Sequence, residues 1–127
     1  PMNHKVFLAQ FDAIKKLASE GPCVMVGRCA DYALSEYKDC FSVFVHADTD
    51  WRINRLSQKH NKTAKEAKDM INKTDKSRSS YYNYYTNKKW GAASSYNLCV
   101  DSSKLGIDGA AKAIIQAIEI FDSIKNK

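Results

Sequence analysis

Three short apolar runs constrain this chain more than any other feature. They are Cys23-Val-Met-Val-Gly27, Phe41-Ser-Val-Phe-Val-His46 and Leu98-Cys-Val-Asp101. Each is too short to bury itself as a helix, and each ends in polar residues. Continuous apolar runs of this length suit central strands of a parallel sheet, covered on both faces. The segments between them have helical periodicity, so the pattern is α/β. In such sheets ligands bind beyond the carboxyl ends of the strands. That directs attention to Arg28–Asp31, His46–Asp50 and Asp101–Ser103.

The helical segments follow from spacing and punctuation. Phe7, Phe11, Ile14 and Ala18 recur at helical intervals over 4–19, widened by Leu8 and Leu17. Asn3 is placed to cap this helix, and Gly21-Pro22 ends it. Asp48 or Thr49 can cap a helix over 50–59. Thr63-Ala-Lys-Glu66 is a capping-box pattern opening a long helix. Its apolar face is thin (Ala64, Ala67, Met70, Ile71) and turns polar and aromatic from Asn72 to Trp90. A face so thin predicts that 60–92 forms a lid-like basic and aromatic segment projecting from the core. The last helix, about 107–124, presents Ile107, Ala111, Ile114, Ile115, Ile118 and Phe121 as its inner stripe. Residues 1–127 read as one domain without repeat, linker or low-complexity segment.

Composition excludes some classes. At 44% apolar and 27% charged the chain is globular in character. No apolar run reaches the ~18–20 residues of a membrane helix, so no membrane partner is expected. The start, Pro1-Met2-Asn3-His4-Lys5, has no signal-peptide pattern. A chain beginning at Pro1 reads as a fragment or a trimmed product. Cys23, Cys29, Cys40 and Cys99 form no CxxC pair and no zinc spacing. Each lies in or beside an expected strand, so they read as reduced core thiols of a cytoplasmic protein. The net charge of +6 is local: residues 59–89 hold nine Lys or Arg against three acids, which accounts for all of it. A patch of this kind points to an anionic ligand, nucleotide phosphates or a nucleic acid.

Four constellations could carry chemistry. Arg28 and Asp31 follow the first apolar run, where an Arg fork can grip a phosphate; a surface Arg28–Asp31 pair is the plainer alternative. Asp75 and Arg78 share a helix face at i, i+3, and cations there could stabilise a transferring phosphoryl group. A solvated charged helix is the other reading. Tyr81, Tyr82, Tyr84 and Tyr85 could stack on bases or pack their segment onto its own domain. Arg52 and Arg55 share a face after the second run, for ligand contact or solvation alike. No metal site and no Ser-His-Asp or Cys-His arrangement can be argued from spacing.

Taken in order, these segments resemble the cytidylate-kinase-like family of P-loop nucleoside monophosphate kinases. Val24–Leu34 is similar to its third strand and Gly-Arg-Asp motif. Phe41–Arg55 is similar to its fourth strand and Arg-bearing helix. Asp75-Lys-Ser-Arg78 resembles its lid motif, and Leu98–Ile107 its last strand with Asp-Ser-x-x-Leu. Lys73–Thr86 followed by Lys89-Trp-Gly91 is similar to a bacterial subfamily. The resemblance implies a P-loop NTPase-type parallel sheet with flanking helices and a helical lid. It implies ATP and Mg²⁺ as cofactors, small-molecule nucleotides as partners, and γ-phosphoryl transfer to CMP or a similar nucleotide. It implies Lys76 and Arg78 as catalytic lid cations. Arg28, Asp31, Lys73 and Asp75 would bind the acceptor, and Arg52, Arg55, Asp101 and Ser102 would border the donor nucleotide. Two motif positions depart: Cys29 stands where the family has Asp, and Ile71 where it has Arg. No GxxxxGK[ST] occurs. The first strand of this fold would lie between residues 23–27 and 41–46, so the 127 residues alone are expected to be inactive. A nucleic-acid-binding module using 59–89, or a non-catalytic kinase-fold regulator, is the alternative.

Overall fold

The computed structural model describes residues 4–125. The order of elements is α1 (His4–Glu20), α2 (Ala30–Ala33), β1 (Val43–His46), α3 (Thr49–His60), α4 (Ala64–Thr86), a 3₁₀ turn (Ala93–Ser95), β2 (Leu98–Asp101) and α5 (Ser102–Lys125). It is a mixed helix and strand fold. β1 and β2 pair in parallel, with Val43 opposite Leu98 and His46 opposite Asp101. Ser42 and Asn97 lock this register at its start: the Asn97 side-chain carbonyl accepts from Ser42 N–H at 2.8 Å. Asn3, expected to cap α1, lies outside the described residues.

The expected strand at 23–27 does not form. Among the described residues no strand lies beside it, and a parallel strand cannot persist without a ladder partner. Residues 22–26 are irregular, with Val24 and Val26 92% and 91% exposed. Met25, between them, turns inward against the cluster of Ile14, Ala30, Ala33 and Leu34. Cys23 is exposed for the same reason, so it is not a core thiol. Cys29 is buried, and Cys40 and Cys99 are half-buried.

Local signals set most helix ends. Thr63 Oγ1 accepts from Glu66 N–H at 3.1 Å, and Glu66 Oε1 accepts from Thr63 N–H at 3.0 Å, completing the capping box. These bonds hold the Glu66 carboxyl below its ordinary range. Asp48 precedes α3, but its side chain makes no capping bond. Its backbone N–H instead donates to Ser103 Oγ at 3.0 Å. Gly106, at φ +75°, breaks the last helix into a turn over 102–105 and a longer helix from Ile107. A left-handed residue there suits glycine and redirects the chain across the sheet.

α5 packs on β1 and β2, and Phe121 meets Phe41 with ring centroids 5.2 Å apart. The sheet is too narrow to cover all of the expected stripe. Ala110 is buried, whereas Ile107, Ile115 and Ile118 are 49%, 56% and 37% exposed.

α4 does not project. Ala67 and Ile71 are fully or nearly buried against α3, and Tyr82 and Thr86 are buried near the other end. The small side chains that make its first face thin also let α3 approach closely. The helix is thus anchored at both ends, and its middle, residues 72–80, faces largely outward.

Candidate functional site

The carboxyl ends of the two strands are tied together. Asp101 Oδ1 accepts from Ser103 N–H at 2.9 Å, from the Ser103 hydroxyl, and from Lys104 N–H at 3.3 Å. These donors hold the Asp101 carboxyl below its ordinary range. Ser102 is buried, and its hydroxyl donates to the His46 carbonyl at 3.2 Å. Asp101 and Ser102 therefore form the turn that leads from β2 into α5.

Gly27, Arg28 and Cys29 are three successive left-handed residues, at φ +71°, +59° and +57°. The last two carry side chains, so each costs roughly 1–2 kcal/mol. Ala30 N–H closes the turn on the Gly27 carbonyl at 3.2 Å. Burial of Cys29 against Phe7 and Tyr82 holds it in place. That burial, followed by the nearby Asp31 charge, pushes the Cys29 thiol from 9.0 to about 11. Arg28 is thereby turned outward: it is exposed and makes no ion pair among the described residues. Strained turns of this kind concentrate at binding sites. The surface pair between Arg28 and Asp31 that the sequence allowed is not formed. Asp31 accepts instead from the Tyr82 hydroxyl at 2.7 Å. Burial, with the Asp31 contact second, pushes the Tyr82 phenol far above its ordinary range.

Tyr82 lies at the end of α4, so this bond joins the Arg28 turn to the basic helix. Earlier on the same helix, Asp75 is gripped by Arg52 of α3 through two bonds, at 2.7 and 2.8 Å. The hydrogen bonds to Asp75 raise the Arg52 guanidinium further above its ordinary range. Arg78 approaches the same carboxylate at 3.9 Å and stays 61% exposed. Lys73 and Lys76 are exposed and make no ion pair among the described residues. Arg55 lies over the Trp51 ring at 5.8 Å. Arg52 and Arg55 stand three apart on α3, as the spacing implied, but meet different partners, Asp75 and the Trp51 ring.

The tyrosines mostly pack their own domain. Tyr85 stacks on Phe7 at 4.0 Å and 11°, and Tyr81 donates to Gln10 Oε1 at 3.3 Å. Tyr84 remains 76% exposed, at the rim of a cleft lined by Phe7, Phe11, Tyr32 and Tyr85. Of the four, Tyr82 is buried, Tyr81 and Tyr85 are half-buried, and Tyr84 alone is mostly exposed. Sequence reasoning missed Tyr82 as the partner of Asp31 and Arg52 as the partner of Asp75, because neither pair has a spacing signal. Among the described residues no group of three or more His, Cys, Asp or Glu comes together to hold a metal. None of their helices is long and apolar enough to cross a membrane.

The Asp31–Tyr82 bond joins the strained Arg28 turn to α4, and the Arg52–Asp75 pair joins α4 to α3. The chain belongs to the cytidylate kinase-like family, whose family model matches residues 1–104. It is also similar to an uncharacterized protein from Eubacterium ventriosum known from a crystal structure. The two share 33% identity with a TM-score of 0.87, over 91% of this chain and 73% of that one. No curated protein matches the chain.

Proposed function

We propose that this chain is the acceptor and lid portion of a nucleoside monophosphate kinase that transfers the ATP γ-phosphoryl group to CMP or a similar nucleotide. One observation carries this reading. α4 links the outward-turned Arg28, through Tyr82 and Asp31, to Lys76, Arg78 and the Arg52–Asp75 pair between α3 and α4. Phosphoryl transfer asks little of a protein beyond positioned cations and alignment. Lys76 and Arg78 would face the transferring group. Arg28 and Lys73 would hold the acceptor phosphate, with Asp31 and Asp75 fixing the surfaces that carry them. Arg52, Arg55, Asp101 and Ser102 would border the donor nucleotide.

In this proposal the full fold is a P-loop NTPase-type sheet. The open side of β1 and the exposed Val24–Val26 segment would flank its first strand, and the donor phosphates would sit on the loop after that strand. No residue here is assigned to Mg²⁺, which at nucleotide sites is held by one or two protein oxygens together with the phosphates. A coupled assay of the gene product with ATP, Mg²⁺ and a panel of nucleoside monophosphates tests the proposal. Turnover of at least one acceptor is expected, with none from residues 1–127 alone. Absence of turnover with every acceptor refutes it.

A further inference from the structure

An open cleft of about 420 Å³ lies where the start of α1 meets the end of α4. That volume falls within the roughly 300–1,000 Å³ of small-molecule sites. Its walls are rings: His4, Phe7, Phe11, Tyr32, Tyr84 and Tyr85. Helical spacing sets His4, Phe7 and Phe11 on one face of α1. Tyr85 lies parallel to Phe7, with centroids 4.0 Å and planes 11° apart. Tyr84 stands edge-on to Tyr85 at 4.8 Å and 85°. Phe11 and Tyr32 meet edge-on at 6.2 Å and 61°. Tyr84 is 76% exposed, so burial does not account for a ring at this mouth. The Tyr32 and Tyr84 hydroxyls make no hydrogen bond among the described residues. Such a cleft suits a flat ring, held by its faces and met at its edge by hydroxyls.

The charge beside the cleft says which flat ring. Phe7 serves both places: it lines the cleft, and Cys29 of the Arg28 turn is buried against it. Tyr32 also joins them, since its N–H donates to the Cys29 carbonyl at 3.0 Å. Tyr81 lies 5.0 Å from Tyr85, ring to ring. Burial raises the Tyr81 phenol above its ordinary range, and the nearby Arg28 charge opposes that rise. The exposed guanidinium of Arg28 thus stands close to the aromatic wall. A ring slot with an Arg fork beside it matches a flat base that carries a phosphate.

We infer that this aromatic cleft receives the base of the acceptor nucleotide by stacking, with Tyr84 as the ring that closes on it while Arg28 holds the 5′-phosphate. This deepens the kinase reading and rests on it.

Calorimetric titration with CMP, UMP, AMP, GMP and ribose 5-phosphate is the test, on the full chain and its Tyr84→Ala and Tyr84→Phe variants. Tyr84 is exposed, so these replacements spare the packed core. The tightest nucleotide is expected to bind about fivefold to about 150-fold more tightly than ribose 5-phosphate, the range for one stacked base. Tyr84→Ala should weaken that nucleotide at least about fivefold and leave ribose 5-phosphate within about twofold. Tyr84→Phe, which keeps the ring, should bind it more tightly than Tyr84→Ala. Ribose 5-phosphate binding as tightly as every nucleotide overturns the inference and leaves the acceptor reading standing. So does a smaller loss in Tyr84→Ala, or a loss that ribose 5-phosphate shares. An oligocytidylate that binds more tightly than CMP, and is weakened by Tyr84→Ala, would assign the cleft to single-stranded nucleic acid and overturn the inference too. Failure of every phosphate ligand to bind removes the kinase reading itself, and the inference with it.

Discussion

Replacing Arg52 with Ala would remove the connection between α3 and the middle of α4. Exposed ion pairs contribute about 0–1 kcal/mol and breaking buried ones costs about 3–5 kcal/mol. The Arg52 and Asp75 side chains are 30% and 25% exposed, and two short bonds join them, so the pair lies between these limits. A loss of about 2 kcal/mol is expected, for hydrogen bonds to charged groups of this kind. Arg78 cannot replace the lost partner without moving, since it stands 3.9 Å away and is 61% exposed. For a domain of this size the loss corresponds to a fall in Tm of roughly 6–10 °C. Urea denaturation and a thermal scan of Arg52→Ala, Asp75→Ala and the double variant would measure it. A coupling of about 1.5 kcal/mol is expected in the cycle. Arg52→Lys should recover less than half, because Lys keeps the charge but loses the fork. Arg55→Ala is the control, and should cost about 0.5–1 kcal/mol for its ring contact. If Arg52→Ala costs no more than Arg55→Ala, or the coupling is near zero, the pair does not fasten the two helices.

Two further outcomes follow from the Arg28 turn. Tyr82→Phe removes the hydroxyl that satisfies Asp31 and should cost about 1–2 kcal/mol in urea denaturation; an unchanged midpoint would show that the bond contributes nothing. The Cys29 thiol keeps its proton in the folded chain up to about pH 11 but releases it near 9.0 when unfolded. The unfolded state therefore holds fewer protons in that window, so this contribution is complete below about pH 9 and is lost as pH rises through about 11. Denaturation midpoints taken at several pH values should fall more steeply for the parent chain than for Cys29→Ala; parallel slopes would contradict the assignment.

What could be read from the sequence was local. The Phe7–Ile14 periodicity, the Thr63–Glu66 capping box and the runs at 41–46 and 98–101 carry their own instructions, and the structure follows them, the first run becoming a strand from Val43. Periodicity also showed that Asp75 and Arg78 share a face. It could not show which neighbour that face meets. Arg52 and Asp75 are 23 residues apart on different helices, and Asp31 and Tyr82 are 51 apart. Such partners are chosen by tertiary packing. The run at 23–27 failed for a related reason: an apolar run supplies strand propensity, but a strand also needs a neighbour. The thin face of α4 misled because small residues signal either weak burial or close approach. Here Ala67 is fully buried, so close approach prevails.

The double anchoring of α4 has a consequence for its amide protons. A helix with free ends loses them first to solvent, because terminal turns fray at little cost. Here Ile71 and the Arg52–Asp75 pair hold one part, and Tyr82 and Thr86 hold the other. The amides of residues 72–80 lie on a largely outward-facing stretch, yet neither end offers a place for opening to begin. Their deuterium uptake should therefore track the release of an anchor rather than their own exposure, and the whole stretch should exchange as a unit.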